Sequence, residues 1–69
     1  MERNVRLLSE RECEILALLS EGYTYHDIAE RLGITVATVE KSLQNMLRKK
    51  QFGHAYQLVS WAYREGVLR

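Results

Sequence analysis

Hydrophobic residues in the middle of the chain recur at the spacing of two short helices. Gly33 separates the two groups, and glycine is the residue that most often ends a helix. The small side chain of Ala29 allows the second helix to cross close to the first. This pattern predicts a helix-turn-helix, a motif that presents one helix to the major groove of DNA. Its apolar positions are Ile28, Ala29, Leu32, Ile34, Val36 and Val39.

Capping residues extend the prediction to four helices. The first begins at Ser9, because Ser9 and Glu12 form the S-x-x-E of a capping box, and it ends at Gly22. Threonines at the next two starts are expected N-caps, and Gly66 is expected to end the last helix. The second helix is predicted from Thr24 to about Leu32, the third from Thr35 to Lys50 or Gln51, and the fourth from His54 or Ala55 to Glu65.

The chain is expected to be a single small domain. No strand pattern, internal repeat or interdomain linker interrupts its 69 residues. We expect residues 1–6 to form a flexible N-terminal tail and residues 7–69 to form the domain. The predicted fold class is all-α, a four-helix bundle with a central helix-turn-helix.

Charge is distributed unevenly along the chain. The formal net charge is only +1, although nucleic-acid binding proteins usually carry a basic surface. Seven of the nine acidic residues precede position 31, and only Glu40 and Glu65 follow it. A small domain polarised in this way can present a positive face while its total charge stays near zero. The basic residues from position 31 onward are Arg31, Lys41, Arg48, Lys49, Lys50, Arg64 and Arg69.

Composition argues against several other classes of protein. A single cysteine, Cys13, cannot form an internal disulfide, and the N-terminus lacks the apolar core of a signal peptide. No apolar run approaches the ~20 residues that span a bilayer. No nucleophile–base set, phosphate-binding glycine loop or metal-ligand spacing is present. We therefore expect a cytoplasmic protein that is not an enzyme and needs neither a metal nor another cofactor.

Four segments of the chain carry a family resemblance: 8–16 (LSERECEIL), 21–34 (EGYTYHDIAERLGI), 38–41 (TVEK) and 57–68 (QLVSWAYREGVL). With these segments in order, almost the whole chain, about residues 7–68, resembles the LuxR/FixJ-type (GerE-like) DNA-binding domain. The resemblance implies a four-helix fold whose third helix, here about 35–50, enters the major groove and whose fourth helix pairs two subunits. Met1 slightly favours a stand-alone member over a domain taken from a longer regulator.

The resemblance places base contacts near the start of the third helix, at Glu40, Lys41 and Gln44. The chemistry of these residues agrees with that role. Lys41 donates to guanine O6 or N7, Gln44 pairs with adenine, and Glu40 accepts from cytosine N4. Two alternatives remain open for Glu40, which either orients Lys41 or lies in solvent.

Phosphate contacts are expected where the two helices of the motif begin. Backbone amides and hydroxyls at a helix N-terminus bind phosphate groups. For Thr24 and Thr35 the alternative is capping alone, and the two roles are compatible. The candidate phosphate contacts are Thr24, Tyr25, His26, Thr35, Thr38, Arg48 and Lys49.

The fourth helix has more apolar residues than one buried face requires. Tyr56 and Tyr63 are seven residues apart and therefore share a face, with Val59 and Ser60 between them. As in the family, these four residues are predicted to form the dimer interface. The alternative is that the tyrosines merely cover the bundle.

Some positions depart from the family pattern. Lysine is frequent in the family where this chain has His26 and Ala37, and leucine where it has Lys50. Because a lysine is costly to bury, we expect Phe52 to take over the packing and the turn to shift toward Gly53. The basic loop that usually follows the third helix is replaced here by other residues.

Two classes of function follow from the sequence. The leading hypothesis is a sequence-specific transcriptional regulator that binds double-stranded DNA as a homodimer. The second is a protein-interaction module that pairs through its fourth helix with a larger regulator and modulates it. The low net charge and the missing basic residues motivate this second hypothesis.

Overall fold

The computed structural model describes residues 8–68, and these form four α-helices with no strand among them. The predicted all-α, four-helix fold is confirmed. The flexible tail expected at residues 1–6 lies outside the described residues, as do residues 7 and 69. The helices are α1 (Glu10–Ser20), α2 (Tyr25–Leu32), α3 (Val36–Lys50) and α4 (Ala55–Arg64).

Local sequence signals set both ends of α1. The Ser9 hydroxyl accepts a hydrogen bond from the Glu12 N–H at 3.0 Å, and the Ser9 N–H donates to Glu12 Oε1 at 2.9 Å. These reciprocal bonds form the predicted capping box. At the other end Gly22 has φ = 95°, and the Tyr23 N–H donates to the Leu18 carbonyl at 3.2 Å. The left-handed glycine reverses the chain toward α2, as predicted.

Helix α3 is the centre of the fold because it contacts each of the other three helices. Its inner face buries Val39, Leu43 and Met46. Val36 belongs to the same apolar pattern in the sequence but lies at the first position of α3 and is 37% exposed. The buried core consists of Leu8, Ile15, Leu16, Ile28, Ala29, Val39, Leu43, Met46, Leu58, Trp61, Ala62 and Leu68.

The turn between α3 and α4 differs from the prediction. The left-handed residue is Gln51, with φ = 60°, and the predicted shift toward Gly53 is wrong. The Phe52 N–H donates to the Leu47 carbonyl at 3.0 Å, and the Phe52 ring packs against the core as predicted. Reversal at Gln51 brings Phe52 straight back onto the bundle. This contact offsets the roughly 1–2 kcal/mol that a left-handed non-glycine residue costs.

Helix α4 covers the end of the bundle with Leu58, Trp61 and Ala62. Its first turn is held by Gln57, whose Oε1 accepts hydrogen bonds from the N–H groups of Gly53 and His54, each at 2.9 Å. The predicted start at Ala55 is confirmed, the helix ends at Arg64, one residue before the predicted end, and Gly66 has φ = 79° just beyond it.

Candidate nucleic-acid interface

The start of α2 is fixed by a second capping box. The Thr24 hydroxyl accepts from the Asp27 N–H at 3.1 Å, and the Thr24 N–H donates to Asp27 Oδ2 at 3.4 Å. The shorter aspartate therefore completes the box. Thr24, Tyr25 and His26 are all exposed, so three candidate phosphate contacts lie together on the surface.

The turn of the motif leads directly into α3. Gly33 adopts φ = 70°, and the Ile34 N–H donates to the Ala29 carbonyl at 3.0 Å. Thr35 then caps α3, because its hydroxyl accepts from the Thr38 N–H at 3.1 Å. The Thr35 and Thr38 hydroxyls are 2.9 Å apart and both residues are exposed. The two hydroxyls hydrogen-bond to each other, with either as the donor, so capping and this bond leave one hydroxyl hydrogen of the pair available to a ligand.

The outer face of α3 is formed by Ala37, Lys41, Gln44 and Arg48. These residues follow one another at spacings of four, three and four, so they lie in one row along the helix. All four are exposed, opposite the buried inner face. Glu40 is also exposed and flanks the row. The row therefore joins one short apolar side chain to three long polar ones, all of them accessible to solvent on the central helix.

A shallow depression borders this row on the Glu40 side. It is open to solvent and connects three helices, with Tyr25 of α2 and Ala55 of α4 on its margins. The three predicted base contacts are therefore brought together beside one predicted phosphate contact. Its α3 lining consists of Ala37, Glu40, Lys41, Leu43, Gln44 and Leu47.

The basic triplet at the end of α3 has three different environments. Lys49 Nζ lies 2.9 Å from Glu12 Oε1, which ties it to α1. Lys50 Nζ lies over the Trp61 ring, 4.4 Å from its centroid. Arg48 is exposed, and its Nη1 donates to Asn45 Oδ1 at 2.9 Å. Of the three cations, Arg48 is thus the one that extends the outer face of α3.

The outer face of α4 is formed by Tyr56, Ser60 and Tyr63, with Val59 half-buried beside them. Tyr56 is 71% exposed and Tyr63 is 47% exposed. The Ser60 hydroxyl accepts from Arg64 Nη1 at 3.1 Å. The ring of Tyr56 stacks on His54, with the two centroids 5.5 Å apart. The four residues predicted for dimerisation therefore share one face of α4, on which the two tyrosines are the large exposed side chains.

Cys13 lies half-buried on α1, close to two acidic residues of the same helix. Burial raises the pKa of the Cys13 thiol, and the nearby Glu12 and Glu10 carboxylates raise it further. The thiol is therefore less readily ionised than a free cysteine. Residues 8–68 contain no group of three His, Cys, Asp or Glu side chains placed to hold a metal. Over the same residues, no helix is both long and apolar enough to cross a membrane.

Sequence reasoning missed three tertiary contacts of charged side chains. Glu12 was assigned to capping alone, yet it is only 8% exposed and also pairs with Lys49. The Arg31 guanidinium lies 4.2 Å from the centroid of the Tyr23 ring, and Lys50 covers Trp61. Glu12 and Lys49 are 37 positions apart, so no local pattern points to their pairing.

Comparisons with known proteins match this geometry. The family model "Bacterial regulatory proteins, luxR family" matches residues 6–62. The oxygen regulatory protein NreC of Staphylococcus carnosus is 38% identical over 63 residues, which are 91% of this chain and 29% of that protein.

A second relative and a solved structure agree. The response regulator protein VraR of Staphylococcus aureus is 35% identical over 63 residues, again 91% of this chain and 30% of the relative. This chain therefore spans about three tenths of the length of the curated relatives it matches. The solved structure of the transcription factor GerE superposes with a TM-score of 0.89 at 33% identity, covering 91% of this chain and 94% of GerE.

Proposed function

We propose that this chain, which belongs to the luxR family of bacterial regulatory proteins as a DNA-binding domain, regulates transcription as a sequence-specific homodimer. In this proposal α3 enters the major groove of double-stranded DNA in the bacterial cytoplasm. The observation that carries the proposal is the outer face of α3, which is exposed along its whole length and opposite the core.

Base contacts are assigned to Lys41 and Gln44, with Glu40 at their flank. The side chains of all three are exposed and make no hydrogen bond or ion pair within residues 8–68. Their donors and acceptors are therefore available without breaking an internal contact. Lysine selects guanine and glutamine selects adenine through the acceptors and donors of the major groove.

Phosphate contacts are assigned to the exposed groups around this face. The hydroxyls of Thr24, Thr35 and Thr38 lie at the starts of α2 and α3, where backbone amides add partial positive charge. The other candidates are Tyr25, His26, Arg48 and Lys49. Lys49 contributes less than Arg48 in this proposal, because its ammonium group is already bonded to Glu12.

Dimerisation is assigned to the outer face of α4. Large exposed aromatic side chains are costly to leave in water and are common in protein interfaces. Tyr56 and Tyr63 flank Val59 and Ser60 on this surface. A two-fold contact would align two copies of α3 with two half-sites, which multiplies the specificity of a single small domain.

The proposed readout is tested by selecting bound sequences from random duplex DNA and sizing the resulting complex. We expect a palindromic consensus with two chains on each duplex. Mobility shifts with Lys41→Ala should then show relaxed preference at one position of each half-site. Arg11→Ala removes the same charge from α1 and should leave the preference intact. Equal affinity and unchanged preference for Lys41→Ala and Gln44→Ala would contradict the assigned base contacts.

A second function is supported by the strongly exposed Tyr56 and the net charge of only +1. In this alternative, α4 pairs with a larger regulator that contains a domain of the same family, and the complex alters that regulator's activity. The deciding experiment mixes the purified chain with such a regulator and measures DNA binding at low salt. Formation of a heterodimer by a chain that has no DNA affinity of its own would favour the alternative.

A further inference from the structure

We propose that Ala37 selects a thymine through contact with its 5-methyl group, which makes Ala37 a further specificity-determining residue. The inference rests on the proposed function, because it requires α3 to lie in the major groove. It adds to Lys41 and Gln44 a contact that involves no hydrogen bond.

The position of Ala37 supports this role. It lies one helical turn before Lys41, in the same exposed row, and lines the depression shared with Tyr25. It is also close to the start of α3, and the N-terminal residues of a recognition helix are those that reach base edges. A short side chain here allows the helix backbone to approach the groove closely.

The chemistry of Ala37 narrows the target to one base. Its side chain is a methyl group, which neither donates nor accepts a hydrogen bond. The one apolar group that the four bases present in the major groove is the 5-methyl of thymine, and alanine is one of the residues that contact it. Van der Waals contact between two methyl groups is therefore the specific interaction that this position can make.

Helix geometry gives the expected location of the thymine. One turn of α-helix rises about 5.4 Å, and successive base pairs are spaced by roughly 3.4 Å. Ala37 therefore lies opposite a base one or two pairs away from the base that Lys41 contacts. That base is identified experimentally as the position whose preference relaxes in Lys41→Ala.

The test replaces this thymine by uracil, which lacks only the methyl group, in a duplex selected by the wild-type chain. We expect the wild-type affinity to fall about fourfold, the factor for burying one methyl group. Ala37→Gly should bind both duplexes equally. Because glycine weakens a helix, Ala37→Ser provides a second variant in which a hydroxyl disturbs the methyl contact, and it too should lose the preference for thymine.

Val36→Ala is the matched control. Val36 is the adjacent apolar residue and is 37% exposed, but it lies roughly 100° around the helix from Ala37. This variant should keep the full thymine preference.

The outcomes separate the two proposals. A selected duplex that binds in a Lys41-dependent way but is indifferent to the methyl group would overturn the role of Ala37 alone. Full retention of the methyl effect in Ala37→Gly would do the same. If no sequence is enriched, the proposed function fails and the role of Ala37 fails with it.

Discussion

The outer faces of α3 and α4 differ although their inner faces are alike. Each helix buries three side chains in the same core. Outside, α3 carries Lys41, Gln44 and Arg48 in a row, whereas α4 exposes Tyr56 and Tyr63. The core therefore explains why both helices form, but only the outer faces distinguish what each can bind.

The two outer faces therefore suit different partners. Long polar side chains adjust to the donors and acceptors of base edges, whereas rigid rings lose little conformational entropy when another surface covers them. DNA contact and subunit pairing are thus assigned to separate helices. Substitutions on one outer face should leave the property assigned to the other unchanged, and the following predictions test that separation.

The largest effect is expected from Tyr56→Ala combined with Tyr63→Ala. Sedimentation should show monomers, and affinity for a palindromic duplex should fall about a hundredfold, because the second half-site no longer benefits from linkage. Affinity for a single half-site should not change. Replacing both residues by Phe keeps the rings and serves as the control. A palindromic duplex bound equally well by the double alanine variant would contradict pairing through α4.

The reciprocal substitution is Gln44→Leu on α3, which keeps the volume of the side chain and removes its hydrogen bonds. We expect the preference for adenine over the other bases at this position of each half-site to fall roughly tenfold. A bidentate pair contributes about 1–3 kcal/mol of discrimination between bases. Sedimentation should still show dimers. Fluorescence anisotropy on duplexes that differ at this base measures the loss. A change of oligomeric state in this variant would contradict the assignment of DNA contact and subunit pairing to separate helices.

An effect of similar size, on stability rather than on binding, is expected where the start of α1 contacts the end of α3. Glu12→Ala removes both the reciprocal capping bond and the ion pair with Lys49, and should lower the free energy of unfolding by about 1–2 kcal/mol. Urea denaturation measures the change. The control is Glu14→Ala on the same helix, whose exposed carboxylate lies 3.6 Å from Arg11 and should matter little. Equal effects of the two variants would mean that neither the capping bond nor the ion pair of Glu12 contributes to stability.

The smallest effect is expected from Arg48→Ala. If Arg48 contacts one phosphate, the slope of log affinity against log salt concentration should become shallower by about 0.9. Sequence preference should not change, because phosphate contacts carry no base information. Titration over a range of salt concentrations measures this slope. Relaxed sequence preference would instead place Arg48 among the base contacts.

Helix limits were predictable because their signals are local. The capping boxes at Ser9 and Thr24 and the glycines after α1 and α2 act within a few residues of where they stand. Gln51 was not predictable in this way. Its left-handed conformation turns the chain so that Phe52 packs against the core. The position of that contact is set by the assembled bundle and not by neighbouring residues.

The candidate site was predictable in part for the same reason. Exposure of Lys41 and Gln44 follows from helical spacing, and their suggested roles come from a family resemblance. The environments of Lys49 and Lys50 did not follow from the sequence, because their partners Glu12 and Trp61 lie on other helices. A run of three basic residues therefore overstates the charge that the surface offers to a phosphate.

A single oxygen atom links the beginning of α1 to the end of α3. Glu12 Oε1 accepts hydrogen bonds from the Ser9 N–H and from Lys49 Nζ, each at 2.9 Å. If either helix end frays, the other end therefore loses a hydrogen bond that helps to hold it in place. The first turn of α1 and the last turn of α3 should open together, so that amide exchange in these two distant segments follows one local unfolding event.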